Sequence, residues 1–158
     1  MKNTIFTKLM LITSSEKALV TAKIEYDNTD DTVQPLSRIS LVYNNTEYYG
    51  EGIDYLLTDT FADLQSKLPQ SVKLACCMTC RYGHMCPYGN EPNKLFCLKG
   101  KSTCNKSDVC EIFDQGDISE KCVVSSYTYC ESFVYQSDKF YTYNDYLYEL
   151  QKITSFNC

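Results

Sequence analysis

A chain of 158 residues with a formal charge of −5, 22% charged and 44% hydrophobic residues, ten cysteines and 14 tyrosines is long enough for one domain with a real core. Folding at this length buries about 70% of the surface the extended chain would expose, so cross-links are not needed merely to fold. The 15 Lys and Arg residues are scattered, which excludes binding to a nucleic-acid backbone because that needs clustered cations to displace counterions.

The N-terminus, Met1 to Thr13, superficially suggests an export signal, but Lys8 splits its apolar stretch and no small-residue cleavage site follows. It reads as a first strand, and the expected compartment is the cytoplasm. No run of about 18 apolar residues occurs, so no membrane span is expected. Residues 4–13 and 17–26 are rich in Ile, Leu, Val, Thr and Tyr around a polar Ser-Ser-Glu-Lys turn, which predicts a hairpin. Asp27 to Pro35 is a polar, acidic loop. Residues 37–43 and 46–50 form a second hairpin turned by Asn44 and Asn45, which tolerate the positive φ of tight turns.

A helix over 58–68 follows, with Asp59 as N-cap, Phe61, Leu64 and Leu68 on one face turned to the core, and Pro69 as its stop. Val72 to Ala75 and Leu95 to Leu98 are strands entering and leaving a cysteine-rich loop. Ser107 or Asp108 caps a short helix through Phe113. Val123 to Cys130 and Phe133 to Tyr143 are strand-like, and Tyr146, Leu147, Leu150 and Ile153 define a last helix. The expected fold is α+β, a mostly antiparallel sheet with two or three helices and a metal-clamped cysteine loop. It forms a single domain over 1–158: hairpins in 1–52, the helix 58–68, a cysteine-rich metal-binding part in 76–130, and a strand and helix in 131–158.

Five of the ten cysteines fall between Cys76 and Cys97, in Cys-Cys-Met-Thr-Cys-Arg-Tyr-Gly-His-Met-Cys-Pro-Tyr-Gly-Asn closed by Phe-Cys. Two residues between paired cysteines let both sulfurs converge on one ion while the backbone turns beneath them, and thiolates hold zinc tetrahedrally at about 2.3 Å. Cys77 and Cys80 have that spacing. Cys97, in an apolar strand further on, is a third donor. The fourth is open between Cys110, Cys130, Cys86 and His84. Without an export signal, reduced thiols and a metal fit better than a disulfide framework. The Asn-x-Thr at Asn44 and Asn-x-Ser at Asn105 are glycan acceptors under the competing reading, a secreted disulfide-stapled protein. A thioredoxin-type exchange pair would want Cys-x-x-Cys opening a helix, whereas here Pro87 and Gly89 follow closely, as in a loop. Cys104, Cys122 and Cys158 are expected to act only as small buried hydrophobes.

Cys-Cys-Met-Thr-Cys, Pro-Tyr-Gly-Asn, Phe-Cys and the downstream Tyr-Thr-Tyr-Cys-Glu-Ser-Phe together resemble an uncharacterised family of small bacterial cysteine-motif proteins, over about residues 55–135. That resemblance implies the ligand set Cys77, Cys80, Cys97 and Cys130. A second similarity, to short cysteine modules of anaerobic bacteria with Asp-x-Cys-x-x-Phe, implies Cys110 through the segment Asp108 to Phe113, and such modules hold zinc or an iron–sulfur cluster. Neither implies an activity. Some bacterial proteins of this size and acidity are immunity proteins, and by that likeness the partner is a basic toxin or nuclease.

His84 is the only histidine, so any Cys–His or Ser–His nucleophile must use it; it is a metal ligand, a partner to one, or a solvated loop residue. The deaminase pattern, phosphate loops, Gly-x-Gly-x-x-Gly and Gly-x-Ser-x-Gly are absent from the sequence. The expected function is therefore non-enzymatic: a binding protein with one structural zinc. The alternative is an iron–sulfur redox or electron-transfer protein on the same thiols. Tyr127, Tyr129, Tyr135, Tyr141, Tyr143, Tyr146 and Tyr148 crowd the last third, either as half-buried strand residues or as an interaction face.

Overall fold

The computed structural model describes residues 2–27, 36–116 and 118–156. The acidic loop expected between Asp27 and Pro35, beyond Asp27 itself, and Cys158 lie outside the described residues. The fold is α+β. Strands β1 (Lys2–Ile12), β2 (Lys17–Asp27), β3 (Leu36–Tyr43), β4 (Thr46–Gly52) and β5 (Lys73–Ala75) form an antiparallel sheet in the order β4-β3-β2-β1-β5. A second sheet, β6 (Gly83–Met85), β7 (Leu95–Cys97) and β8 (Val123–Val124), carries the cysteine loop. Three helices complete the fold: α1 (Thr58–Lys67), α2 (Lys106–Asp114) and α3 (Tyr146–Phe156).

Period-two alternation places Leu9, Leu11, Ala22, Ile24, Ile39 and Leu41 on one face of the large sheet, all buried. The β3–β4 turn is made by Asn44 and Asn45 at φ 49° and 61°, between the paired Tyr43 and Thr46, so the left-handed tolerance of asparagine fixes the register of this hairpin. Helix α1 lies against β4 with Phe61, Ala62 and Leu64 inward. Gly50 makes that approach possible, since a Cβ there would meet the backbone of Thr60 and Leu64. Helix α3 packs on α1 and closes the same core with Tyr146. The opposite face of the sheet leaves Phe6, Leu19 and Val42 exposed.

Both expected caps move. Helix α1 is entered from Leu57 in the left-handed conformation (φ 66°), and Asp59 lies inside the first turn. Its carboxylate accepts instead from the backbone N–H groups of Ile53 (2.7 Å) and Thr60 (2.8 Å), tying the β4–α1 connection to the helix. The exit is as expected, with Leu68 extended ahead of Pro69. Helix α2 is capped by Asn105, whose side chain accepts from the Asp108 N–H at 3.1 Å, while the Asp108 carboxylate reaches back to the N–H of Cys104 and Asn105.

The largest departure lies in the last third. Val123 to Cys130 is a strand only at Val123–Val124, and Phe133 to Tyr143 is no strand; a single bridge joins Tyr135 to Cys80. The backbone there is bonded to the cysteine loop rather than to a ladder. Thr128 and Ser126 carbonyls accept from Cys77 and Met78 N–H (2.7 and 2.9 Å), Val134 from Arg81 (2.8 Å), and Tyr143 from Met85 (2.7 Å). Tyrosine-rich composition favours a strand, but these tertiary partners claim the same groups.

Candidate functional site

Residues Cys77–Thr79 form one turn of 3₁₀ helix, from which Cys80 leaves in extended backbone. The Thr79 hydroxyl accepts the Cys76 N–H (3.1 Å) and donates to the Leu74 carbonyl (2.9 Å), so β5 delivers the turn in a fixed orientation. Gly83 follows with its backbone against this turn; a Cβ there would run into the Cys77 carbonyl oxygen. Gly83 pairs with Cys97 across β6 and β7. Paired residues in an antiparallel ladder share a face, which points Cys97 to the side on which Cys77 and Cys80 lie. The segment carrying Cys130 is brought to the same turn by the Thr128–Cys77 and Val134–Arg81 bonds.

The thiols register one another. Burial pushes the Cys77 thiol up to about 12, and Cys76, Cys80, Cys97 and Cys130 push in the same direction, because a new thiolate is repelled by neighbouring ones. Cys80 is raised chiefly by burial and less by Cys97 and Cys130, against the backbone amides of Val134 and Tyr82, which favour its thiolate. Cys97 and Cys130, from two other segments distant in sequence, therefore lie within electrostatic reach of Cys77 and Cys80. Among the described residues, no three His, Cys, Asp or Glu side chains converge as a ready-made metal shell.

The other candidates lie elsewhere. Cys86 is buried in a second small core with Phe96, Leu98, Val109 and Ile112, and its thiol donates to Asn90 Oδ1 at 2.9 Å. Cys110 is on α2, where its carbonyl accepts from the Tyr88 hydroxyl at 3.4 Å. His84 is not a solvated loop residue: it is a β6 residue paired with Phe96 and 1% exposed, and its Nδ1 accepts the Tyr143 N–H at 3.1 Å. Burial lowers its pKa to about 4, against a backbone hydrogen bond with Arg81, so the imidazole is neutral at ordinary pH. Cys122 packs against the second core as expected of a small hydrophobe, but Cys104 is exposed. The nine described cysteines are free thiols.

The sequence reading missed Cys76, the most deeply buried member of the cluster, whose thiol burial raises to about 11. Its place directly before Cys77 was the available signal. It also missed Gln136 and Asn144, which pin the loop. Gln136 Nε2 donates to the Met78 carbonyl at 2.7 Å and to Asn144 Oδ1 at 3.0 Å, and Asn144 Nδ2 donates to the Gly83 carbonyl at 2.6 Å. No local pattern marks such residues. A cleft of about 500 Å³ runs beside Met85, Cys86, Tyr141 and Tyr143, with Asp54, Glu91 and Asp145 on its walls. His84 is not among its lining residues. No helix among the described residues is long and apolar enough to cross a membrane. No protein-family model matches the chain, and no curated protein does.

Proposed function

We propose that this chain is a non-catalytic, cytoplasmic protein-interaction module whose cysteine-rich half is held by one zinc ion on Cys77, Cys80, Cys97 and Cys130. The observation that supports this reading is that Cys97, at the end of β7, and Cys130, on the wrapping segment, lie within electrostatic reach of Cys77 and Cys80 on the 3₁₀ turn. Cys77 and Cys80, raised by burial and in smaller part by Cys97 and Cys130, belong to a donor set that a soft dication relieves, since it favours every thiolate at once. Bound zinc would supply cross-linking and folding energy, with no reaction routed through it. An ion would draw the sulfurs together into a tighter shell than the one described. The need is also structural: among the described residues between Lys99 and Asp145 only α2, a 3₁₀ turn and two strand residues are regular, and a metal clamp offsets such a scarcity of ladder bonds.

The interaction part rests on the charge of −5 and on the open sheet face with Phe6, Leu19 and Val42. A basic protein, such as a toxin neutralised by an immunity protein, has the complementary charge, and its association should slow as salt rises. The test is elemental analysis of the full chain purified under reducing conditions, with a visible spectrum and a thiol count. About one zinc per chain without colour, lost together with stability in Cys77→Ser and Cys80→Ser, is expected. Iron with brown absorbance moves the reading to an iron–sulfur protein on the same thiols. Metal-free protein with all thiols titratable overturns the clamp. Metal-free protein without titratable thiols points to the secreted, disulfide-stapled alternative.

A further inference from the structure

A cavity of about 290 Å³ opens between α3, α1 and β5 on the side of the fold facing the cysteine turn. Leu147 and Leu150 of α3 and the side chains of Tyr135 and Tyr146 give it mostly apolar walls. Three of its polar neighbours are already committed. The Gln65 side chain donates to the Val72 carbonyl (2.8 Å) and accepts the Leu74 N–H (2.9 Å). Thr79 donates to Leu74, and Gln136 to Met78. Tyr146 is different. It is only 4% exposed, and its hydroxyl makes no hydrogen bond among the described residues. Beside it the Tyr135 hydroxyl is sealed from solvent and also without a partner. A sealed hydroxyl left unpaired, as at Tyr135, is costly and rare, whereas the Tyr146 hydroxyl is not sealed and stays open to a group entering the cavity.

The lining of the cavity has one charge. Lys73 lies at its exposed rim on β5, forms no ion pair among the described residues, and meets no Asp or Glu in the lining. A ligand that fits must therefore be apolar in its middle, offer a hydrogen-bonding group to a tyrosine hydroxyl at the buried end, and present negative charge at the mouth. A cavity of about 150 Å³ lined by apolar side chains takes benzene, so this one has room for a substituted ring. Flat walls of two tyrosine rings and two leucines favour such a ring over a branched chain.

We propose that this cavity is a binding site for a small aromatic carboxylate with a second polar group, the acid paired with Lys73 at the exposed rim and the polar group bonded to the buried Tyr146. The site uses none of the four clustered thiols and stands whether or not they hold a metal.

The test is titration of the full chain with 4-hydroxyphenylacetate, followed by calorimetry and by chemical shifts of the Leu147 and Leu150 methyl groups. Saturable binding with shifts confined to those methyls is expected. Phenylacetate, which lacks the hydroxyl, and 4-ethylphenol, which lacks the acid, should each bind about tenfold more weakly, the size of one lost hydrogen bond. Tyr146→Phe keeps the ring and should abolish the preference for the hydroxylated ligand. Lys73→Met, at the exposed rim where folding is not at risk, should abolish the preference for the acid. No saturable binding up to millimolar ligand overturns the proposal, as does binding that Lys73→Met leaves unchanged.

Discussion

Replacing Gly50 with alanine tests how the helix is seated on the sheet. Gly50 is in the β4 ladder opposite Ile39, and a Cβ built on it collides with backbone atoms of Thr60 and Leu64, which cannot turn aside as a side-chain tip can. Helix α1 must therefore lift from β4 or slide along it, which disturbs Phe61 and Leu64, both fully buried. Overpacking of a core costs about 1–3 kcal/mol, and collision with backbone belongs at the upper end. Reduced freedom of the unfolded chain returns roughly 0.5 kcal/mol. The net expectation is a loss of about 2.5 kcal/mol, or a fall of about 5–10 °C in Tm for a chain of this size. Urea unfolding followed by circular dichroism measures it. Gly89→Ala is the comparison: open space surrounds that Cβ, but φ is +72°, so only the left-handed penalty of about 1 kcal/mol applies. If Gly50→Ala unfolds within about 0.5 kcal/mol of the parent, the close seating of α1 on β4 is wrong.

Three further outcomes follow from named contacts. His84 is neutral when folded, with a pKa of about 4 against an ordinary 6.5, so the unfolded chain takes up a proton that the folded chain refuses in that window. Its contribution is complete above pH 6.5 and declines by roughly 3 kcal/mol as pH falls to 4; His84→Asn, which keeps an acceptor for the Tyr143 N–H, should lose less stability between pH 7 and 4.5 than the parent. Gln136→Leu strips the Met78 carbonyl and Asn144 of a buried donor and should cost about 2 kcal/mol by chemical denaturation, with an equal effect on Asn144→Leu if the two act as one unit. Asn105→Ala removes the α2 cap and should cost about 1 kcal/mol in a thermal melt, whereas Ser107→Ala should be nearly silent.

Most elements with a local cause were legible in the chain. Residues rich in Ile, Leu, Val, Thr and Tyr around a polar turn marked β1 and β2, the asparagine pair marked the β3–β4 hairpin, and the spacing of Phe61, Leu64 and Leu68 ahead of Pro69 marked α1. The Cys-x-x-Cys spacing marked a turn, and a turn is what Cys77 to Cys80 make. Failures cluster where distant partners outbid local preference. Residues 125–145 have the tyrosines and β-branched residues of strands, yet the carbonyls of Ser126, Thr128, Val134 and Tyr143 accept from the cysteine loop in place of a strand ladder. His84 follows a turn and precedes a proline, a context that suggests solvent, but pairing with Phe96 carries it inside. Asp59 was the natural cap by type, but the N–H groups of Ile53 and Thr60 took its carboxylate.

By itself, then, the sequence determined the period of each strand, the helix stops and the cysteine spacing, because these depend on φ/ψ preferences and on side-chain direction within a few residues. Tertiary structure alone decided which thiols meet. Cys97 comes within electrostatic reach of Cys77 and Cys80 because β6 pairs with β7 at Gly83, and Cys130 does so because its segment bonds the 3₁₀ turn. It also decided that Cys86, Cys110 and His84 face other partners, and that the Tyr135 hydroxyl is sealed without a partner beside the cavity that Tyr146 lines. Such meetings depend on contacts between residues far apart in the chain, and their energy comes from packing and hydrogen bonds that no local window contains.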